Sequence, residues 1–274
     1  MSLFNYDKLP SLDAYLERIG YTGSREITRE NLNALVLAHQ QTVPFENLDC
    51  NAYGEKIRLD MPHLFEKVIT HRRGGYCFEL NGLFVSMLRD FGFDEYNGLG
   101  RIVVMPGEPL RPILHRTVMV RLDGKLYLCD VGFGGPMAPF AVEVSAERQT
   151  FYGETFWVEE DELGWYLLKR LRRNGIEDEA NAAGDEAPVM YFSLPAATNE
   201  DYAPMNVAMS EDPGSIFVFL RWASLRTPTG YVSMRGNVFN IMENGVKTTR
   251  EVSEEEAAAL LLEHMNIRPV KYEA

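Results

Sequence analysis

Among the three cysteines, Cys77 stands where a sulfur nucleophile is most easily made. It lies in the run Arg72-Arg73-Gly74-Gly75-Tyr76-Cys77-Phe78-Glu79-Leu80-Asn81. Two glycines give a sharp turn and close backbone approach. Leu80, Leu83, Phe84, Met87, Leu88 and Phe91 recur at offsets of three and four, which predicts a helix with one apolar stripe. Cys77 then falls in its first turn. The unpaired N–H groups and positive dipole end there favour a thiolate over a thiol. Arg72 and Arg73 add positive potential just upstream. A free cysteine is also commonly a small apolar core residue, and Cys77 alone leaves both readings open.

A thiolate of this kind works with a base, and the chain has five histidines: His39, His63, His71, His115 and His264. Residues 115–122 and 125–132 are apolar and β-branched runs on either side of Asp123-Gly124. That dipeptide is the favoured two-residue hairpin turn. With it as the loop, Leu122 faces Lys125 and His115 faces Gly132. Alternate residues share a face, so Asp130 lies on the His115 side as its diagonal neighbour. Gly132 leaves room for the imidazole to lean toward Asp130. A carboxylate beside an imidazole fixes its tautomer and stabilises imidazolium, which activates a cysteine. Only His115 has such a predicted partner. A purely structural His–Asp bond is the alternative, because a one-residue slip moves every side chain to the other face.

The elements that must position these groups change type along the chain. The first third reads as helical: one helix from Ser11 to Gly20, a second from Thr28 that Pro44 ends, and a third over Met61 to Thr70. Strands are predicted over Arg101–Met105, the hairpin, Phe151–Glu159, Trp165–Leu171 and Val189–Leu194. Glu177 to Glu186 is acidic and reads as a solvated loop. Residues 215–220 suit either helix or strand, and Gly230–Ile241 a strand pair. Ser253 and Glu256 form a capping box for a last helix. Helices, then antiparallel strands, then a mixed end make an α+β protein. The boundaries expected are residues 1–92, 93–204 and 205–274.

The 274 residues are 46% hydrophobic and 24% charged, the composition of an ordinary globular chain. The formal charge is −13 and no basic run is present, which argues against nucleic acid as a partner. An odd number of cysteines without C-x-x-C argues against a disulfide framework and a zinc site, so no metal is expected. No signal peptide and no long apolar run is seen, which fits a cytoplasmic protein off the membrane.

Arg73 to Asn81, Val43-Pro44-Phe45-Glu46-Asn47-Leu48 and Asp130-Val131-Gly132-Phe133-Gly134 together resemble the arylamine N-acetyltransferase family. The spacing from cysteine to histidine to aspartate matches as well. Gly164 to Leu168 and Ser224 to Pro228 are similar but less specific. The resemblance implies a Cys77–His115–Asp130 triad like that of papain-like proteases. It implies a helical first domain, a β-barrel-like second and a C-terminal α/β lid. It implies acetyl-CoA as donor, an arylamine or hydrazine as acceptor, a ping-pong course and a role in xenobiotic metabolism. It also suggests that Glu46 and Arg73 pair. Phe45, Leu114 and Phe133 are the candidates for the acceptor pocket. Gly134, Gly135 and Ser215 are those for the coenzyme, with Lys169, Arg170, Arg172, Arg173, Arg221, Arg226 or Arg235 for its phosphates. Glu211 and Asp212 depart from the family's Ser/Thr-rich turn, and their charge opposes phosphates. Three rivals share some of these residues: a cysteine peptidase or transglutaminase, an amide synthase using a carrier-bound chain, and a binding module without catalysis.

Overall fold

The computed structural model describes residues 7–103, 111–171 and 185–268. Val104 and Met105 of the expected strand, the loop at 106–109, Arg172, Arg173 and the acidic stretch 177–184 lie outside the described residues.

The N-terminal part follows its caps. Helix α1 (Leu12–Ile19) starts where Ala14 N–H donates to Ser11 Oγ at 3.2 Å, and ends at Gly20 with φ 68°. Helix α2 (Arg29–Thr42) is capped by Thr28, whose Oγ1 accepts from Asn31 N–H at 3.2 Å. A two-residue strand β1 (Phe45–Glu46) and a short helix α3 (Leu48–Asn51) follow. The single helix expected over Met61 to Thr70 is α4 (Met61–Phe65) followed by a π-helical turn (Glu66–Thr70). In that wider turn Lys67 is fully buried against Asp49 and Glu79, a demand that helical periodicity does not register.

Helix α5 (Cys77–Phe91) is the hub. The expected apolar stripe is buried, but so is nearly everything else, including Glu79, Asn81 and Ser86. The reason is that α1, α4 and a sheet all pack on α5. That sheet has eight strands: β2 (Asp94–Ile102), β3 (His115–Leu122), β4 (Lys125–Leu128), β5 (Val142–Glu143), β6 (Gln149–Phe151), β7 (Glu154–Glu160), β8 (Tyr166–Leu171) and β9 (Glu186–Phe192). Their order is β5-β4-β3-β2-β9-β8-β7-β6, antiparallel throughout. The sheet nearly closes on itself, with Val158 N–H donating to Ser145 O at 2.9 Å across the gap.

Two strand expectations need correction. Strand β2 begins at Asp94, seven residues before Arg101, because Gly98, Gly100 and its polar residues hide any alternation. Residues 151–159 are not one strand: Tyr152 and Gly153, at φ 52° and 75°, turn the chain between β6 and β7.

The C-terminal part begins with α6 (Asn199–Ser210), which the sequence analysis did not anticipate; Pro204 and weak apolar periodicity conceal it. The ambiguous run is helix α7 (Ile216–Phe219). Then come β10 (Trp222–Thr227), β11 (Gly230–Arg235), β12 (Val238–Glu243), β13 (Val246–Glu251) and helix α8 (Glu254–Met265), with the expected Ser253–Glu256 capping box. The second sheet runs β1-β10-β11-β12-β13, so the N-terminal Phe45 pairs with Ser224. Arg226 joins all three parts: it donates to Gln40 Oε1 on α2 at 2.8 Å, Glu154 on β7 at 2.5 Å and Met137 O at 2.5 Å. The chain is thus α+β, with a barrel-like sheet between helical and mixed ends.

Candidate active site

The turn before Cys77 is built by contact rather than by glycine conformation. Its left-handed residue is Arg72, at φ 56°, while neither Gly74 nor Gly75 has positive φ. A Cβ on Gly74 would come within 1.9 Å of Pro44 O, so only glycine lets the two segments meet. There Glu46 N–H donates to Gly75 O at 2.9 Å.

Beneath the turn lies a chain of buried ion pairs. Arg73 holds Glu46 and Asp49, each at 2.8 Å; Lys67 holds Asp49 at 2.6 Å and Glu79 at 2.7 Å. Glu79 Oε2 then accepts from Tyr76 N–H at 2.9 Å, one residue before Cys77. The Glu46–Arg73 pair is as the resemblance suggests. The sequence-based idea that Arg73 lends its charge to the sulfur is corrected: that charge is taken up by two carboxylates. Asp49 and Lys67 were missed, since isolated charged residues give no sign that they will be buried.

Cys77 is the first residue of α5 and is buried, with its thiol directed at Leu114 O at 3.8 Å. His115 opens β3, and its Nε2 lies 2.5 Å from Asp130 Oδ2. Nδ1 is then the nitrogen left for Cys77. Burial by itself pushes the His115 ring down; the Asp130 charge and hydrogen bond, then the bond to Cys77, outweigh it and lift the ring to about 10. His39 shows the contrast: burial, with Arg18 nearby, lowers it to about 3, and its Nδ1 meets Tyr15 OH.

The hairpin register is the expected one, with Leu122 opposite Lys125 and Met119 opposite Leu128, but β4 ends at Leu128. Past that point Asp130 is held by other parts. Its Oδ1 accepts from Asn81 Nδ2 at 3.0 Å and Gly132 N–H at 2.9 Å, and its carbonyl from Gln40 Nε2 at 2.8 Å. The role expected for Gly132 is corrected. His115 pairs with Gly100, not Gly132, and a Cβ on Gly132 would lie 2.9 Å from Cys77 Cα. Asn81, one turn after Cys77, ties helix α5 to Asp130 and was missed as a site residue. Its signal was available: a polar side chain four residues on, inside an apolar run.

Phe133 stands edge-on to His115 at 5.7 Å between ring centroids. Phe45 packs on Phe217 and Trp222, at 6.2 Å and 5.7 Å. Leu114 meets Cys77 through its carbonyl. Gly134 O accepts from Trp222 Nε1 at 3.1 Å, and Gly135 is exposed beside it. Ser215 Oγ donates to Met209 O at 2.5 Å and accepts from Phe217 N–H, so its hydroxyl is engaged in capping α7. Glu211 is paired with Lys56 at 2.8 Å, which offsets the repulsion expected from it. The other thiols are poor nucleophiles: burial, then Glu79, pushes Cys50 up to about 12, and burial, then Asp130, pushes Cys129 up.

The His115 proton couples folding to pH. The native ring holds it to about pH 10, the unfolded ring only to 6.5. This stabilising contribution is complete below the unfolded value and is lost as pH rises through the folded one. Thermal melts should therefore show wild type losing Tm relative to His115→Gln between those limits. Parallel curves would contradict the pairing.

A family model described as N-acetyltransferase matches residues 28–272. Arylamine N-acetyltransferase 1 of Bos taurus is 32% identical over 80% of this chain and 79% of its own. The arylamine N-acetyltransferase of Escherichia coli (strain K12) is 39% identical over 58% of this chain, and the match spans 56% of that relative's length. Among solved structures, the arylamine N-acetyltransferase of Salmonella typhimurium superposes with a TM-score of 0.84 at 28% identity, over 95% of this chain and 92% of that one. The Mycobacterium marinum arylamine N-acetyltransferase in complex with CoA gives 0.84 at 26%, covering 94% and 93%. By sequence over most of its length and by fold, the chain belongs to the arylamine N-acetyltransferase family.

Proposed function

We propose that this chain transfers an acetyl group from acetyl-CoA to an arylamine or arylhydrazine through an acetyl-cysteine intermediate. The observation that carries the reading is the Asp130–His115 bond beside a sulfur at a helix start. In the first half, Cys77 as thiolate attacks the thioester carbonyl. The C–S bond to coenzyme A breaks, and the departing sulfur takes the proton of the His115 imidazolium. In the second half, the amine nitrogen attacks the acetyl-cysteine. His115 accepts the amine proton, and Cys77 leaves as the anion. Each half regenerates what the other needs, so the kinetics are ping-pong. Asp130 keeps the ring oriented and stabilises its charge. On this reading residues 1–92 supply the nucleophile, 93–204 the base, and 205–274 the cover, with Phe45 and Phe133 as apolar wall for the acceptor. The family's relatives carry the arylamine name, and the Mycobacterium marinum structure contains CoA.

Intact-mass spectrometry tests it. Acetyl-CoA without acceptor should add one acetyl group to wild type and none to Cys77→Ala, and 4-anisidine should then discharge it. No adduct on wild type, or an adduct that survives in Cys77→Ala, would defeat the reading. Peptide or glutamine turnover in place of the adduct would favour the peptidase rival.

A further inference from the structure

The cations named from the sequence are mostly engaged. Lys169 is paired with Glu159 at 3.0 Å and Glu186 at 2.7 Å, Arg221 with Glu254 at 2.5 Å, and Arg226 with Glu154. Arg235 differs. It is exposed, and among the described residues it has no carboxylate partner. Its guanidinium lies 3.7 Å from the centroid of the Trp222 ring. The two residues are direct partners across β10 and β11, so they share one face of the sheet. Trp222 in turn stacks on Phe217 at 14° and 5.8 Å, meets Phe45, and bonds to Gly134 O. Gly134 directly follows Phe133, whose ring faces His115. Arg235 thus sits at the outer end of an aromatic wall that leads to the base.

A guanidinium held over an indole by cation–π attraction spends none of its N–H donors on that contact, so they can serve an anion. The formal charge of −13 repels anions at long range, so an anionic substrate needs a local cation. We propose that Arg235 is the anion anchor of this site, taking an oxyanion carried by a substrate. Two sources present that chemistry: the phosphates of a coenzyme thioester and the carboxylate of an acidic aromatic amine. The inference rests on the acetyl-transfer reading for the identity of these ligands.

The test reads binding, not turnover. The full-length chain, Arg235→Gln and Arg235→Lys are titrated calorimetrically with coenzyme A, pantetheine, 4-aminobenzoate and aniline. Losing a charge-assisted hydrogen bond should weaken an anchored anion roughly tenfold in Arg235→Gln. The uncharged counterpart should change less than about twofold, since it offers the guanidinium nothing to pair with. Arg235→Lys should recover part of the loss, and added salt should shrink it. A loss confined to coenzyme A assigns the anchor to phosphate; one confined to 4-aminobenzoate assigns it to the acceptor. Equal effects on charged and uncharged ligands, no effect on any, or a wild type that binds neither anion overturns the proposal. Wild type that binds coenzyme A yet forms no acetyl-Cys77 would instead defeat the proposed reaction and leave the anchor standing.

Discussion

Replacing Asp130 by Asn should lower the rate of acetyl-enzyme formation by about four orders of magnitude while leaving the fold in place. The asparagine oxygen can still accept from Asn81 and Gly132 N–H, the two bonds that Asp130 Oδ1 makes. Its amide then points N–H groups at His115 Nε2, where a carboxylate had accepted. The ring must answer with a lone pair there, so its proton moves to Nδ1 and faces the sulfur. No basic nitrogen then remains to take the Cys77 proton. The charge balance shifts in the same direction. Burial already pushes the His115 ring down, and the Asp130 charge is the main influence opposing it. Without that charge the ring is neutral at pH 7. Single-turnover acetylation followed by mass spectrometry measures the loss, and unchanged far-UV dichroism excludes unfolding. Retention of more than about a tenth of the wild-type rate would mean that Asp130 does not govern the tautomer.

Lys67→Met should be the most damaging single change to stability among the buried charges. Lys67 is fully buried, and both its carboxylate partners are nearly so. Breaking a buried pair from one side leaves charge without compensation, at a cost of about 3–5 kcal/mol. For a chain of this size that is roughly 10 °C in Tm. Asp49 keeps Arg73, so Glu79 bears most of the penalty. Burial already pushes Glu79 up to about 7 with Lys67 in place. Its proton would then be retained at neutral pH, and its hold on Tyr76 N–H would weaken just before Cys77. Lys67→Met with Glu79→Gln removes the stranded carboxyl, whose neutralisation carries the penalty, and should recover part of the lost Tm. A double variant less stable than Lys67→Met, or a single variant that melts with wild type, would refute the account.

The His115–Asp130 pair and the Lys67 ion pairs differ in how far the sequence reveals them. The hairpin is local. Asp123-Gly124 sets its register, and register decides which side chains share a face, so His115 and Asp130 could be paired on paper. The caps at Ser11, Thr28 and Ser253 are legible for the same reason, since each is a bond between residues three apart. Lys67 and Asp49 carry no such mark. They are buried because distant segments meet beneath the turn before Cys77, and no window along the chain contains that meeting. The strand from Asp94 and the helix from Asn199 were overlooked because packing, not pattern, holds them.

The sequence alone determined the α+β class of fold and the hairpin register that sets His115 beside Asp130, and it offered Cys77 as a candidate at a helix start, because these follow from short-range rules of turn, cap and alternation. Tertiary structure alone decided that Arg73 is neutralised, that Gly132 makes way for Cys77 rather than His115, that Asn81 braces Asp130, and that Arg235 lies over Trp222 with no carboxylate partner among the described residues. Each of these depends on which distant segment arrives beside a residue. A charge's partner and a glycine's neighbour are properties of three-dimensional contact, which sequence neighbours do not specify.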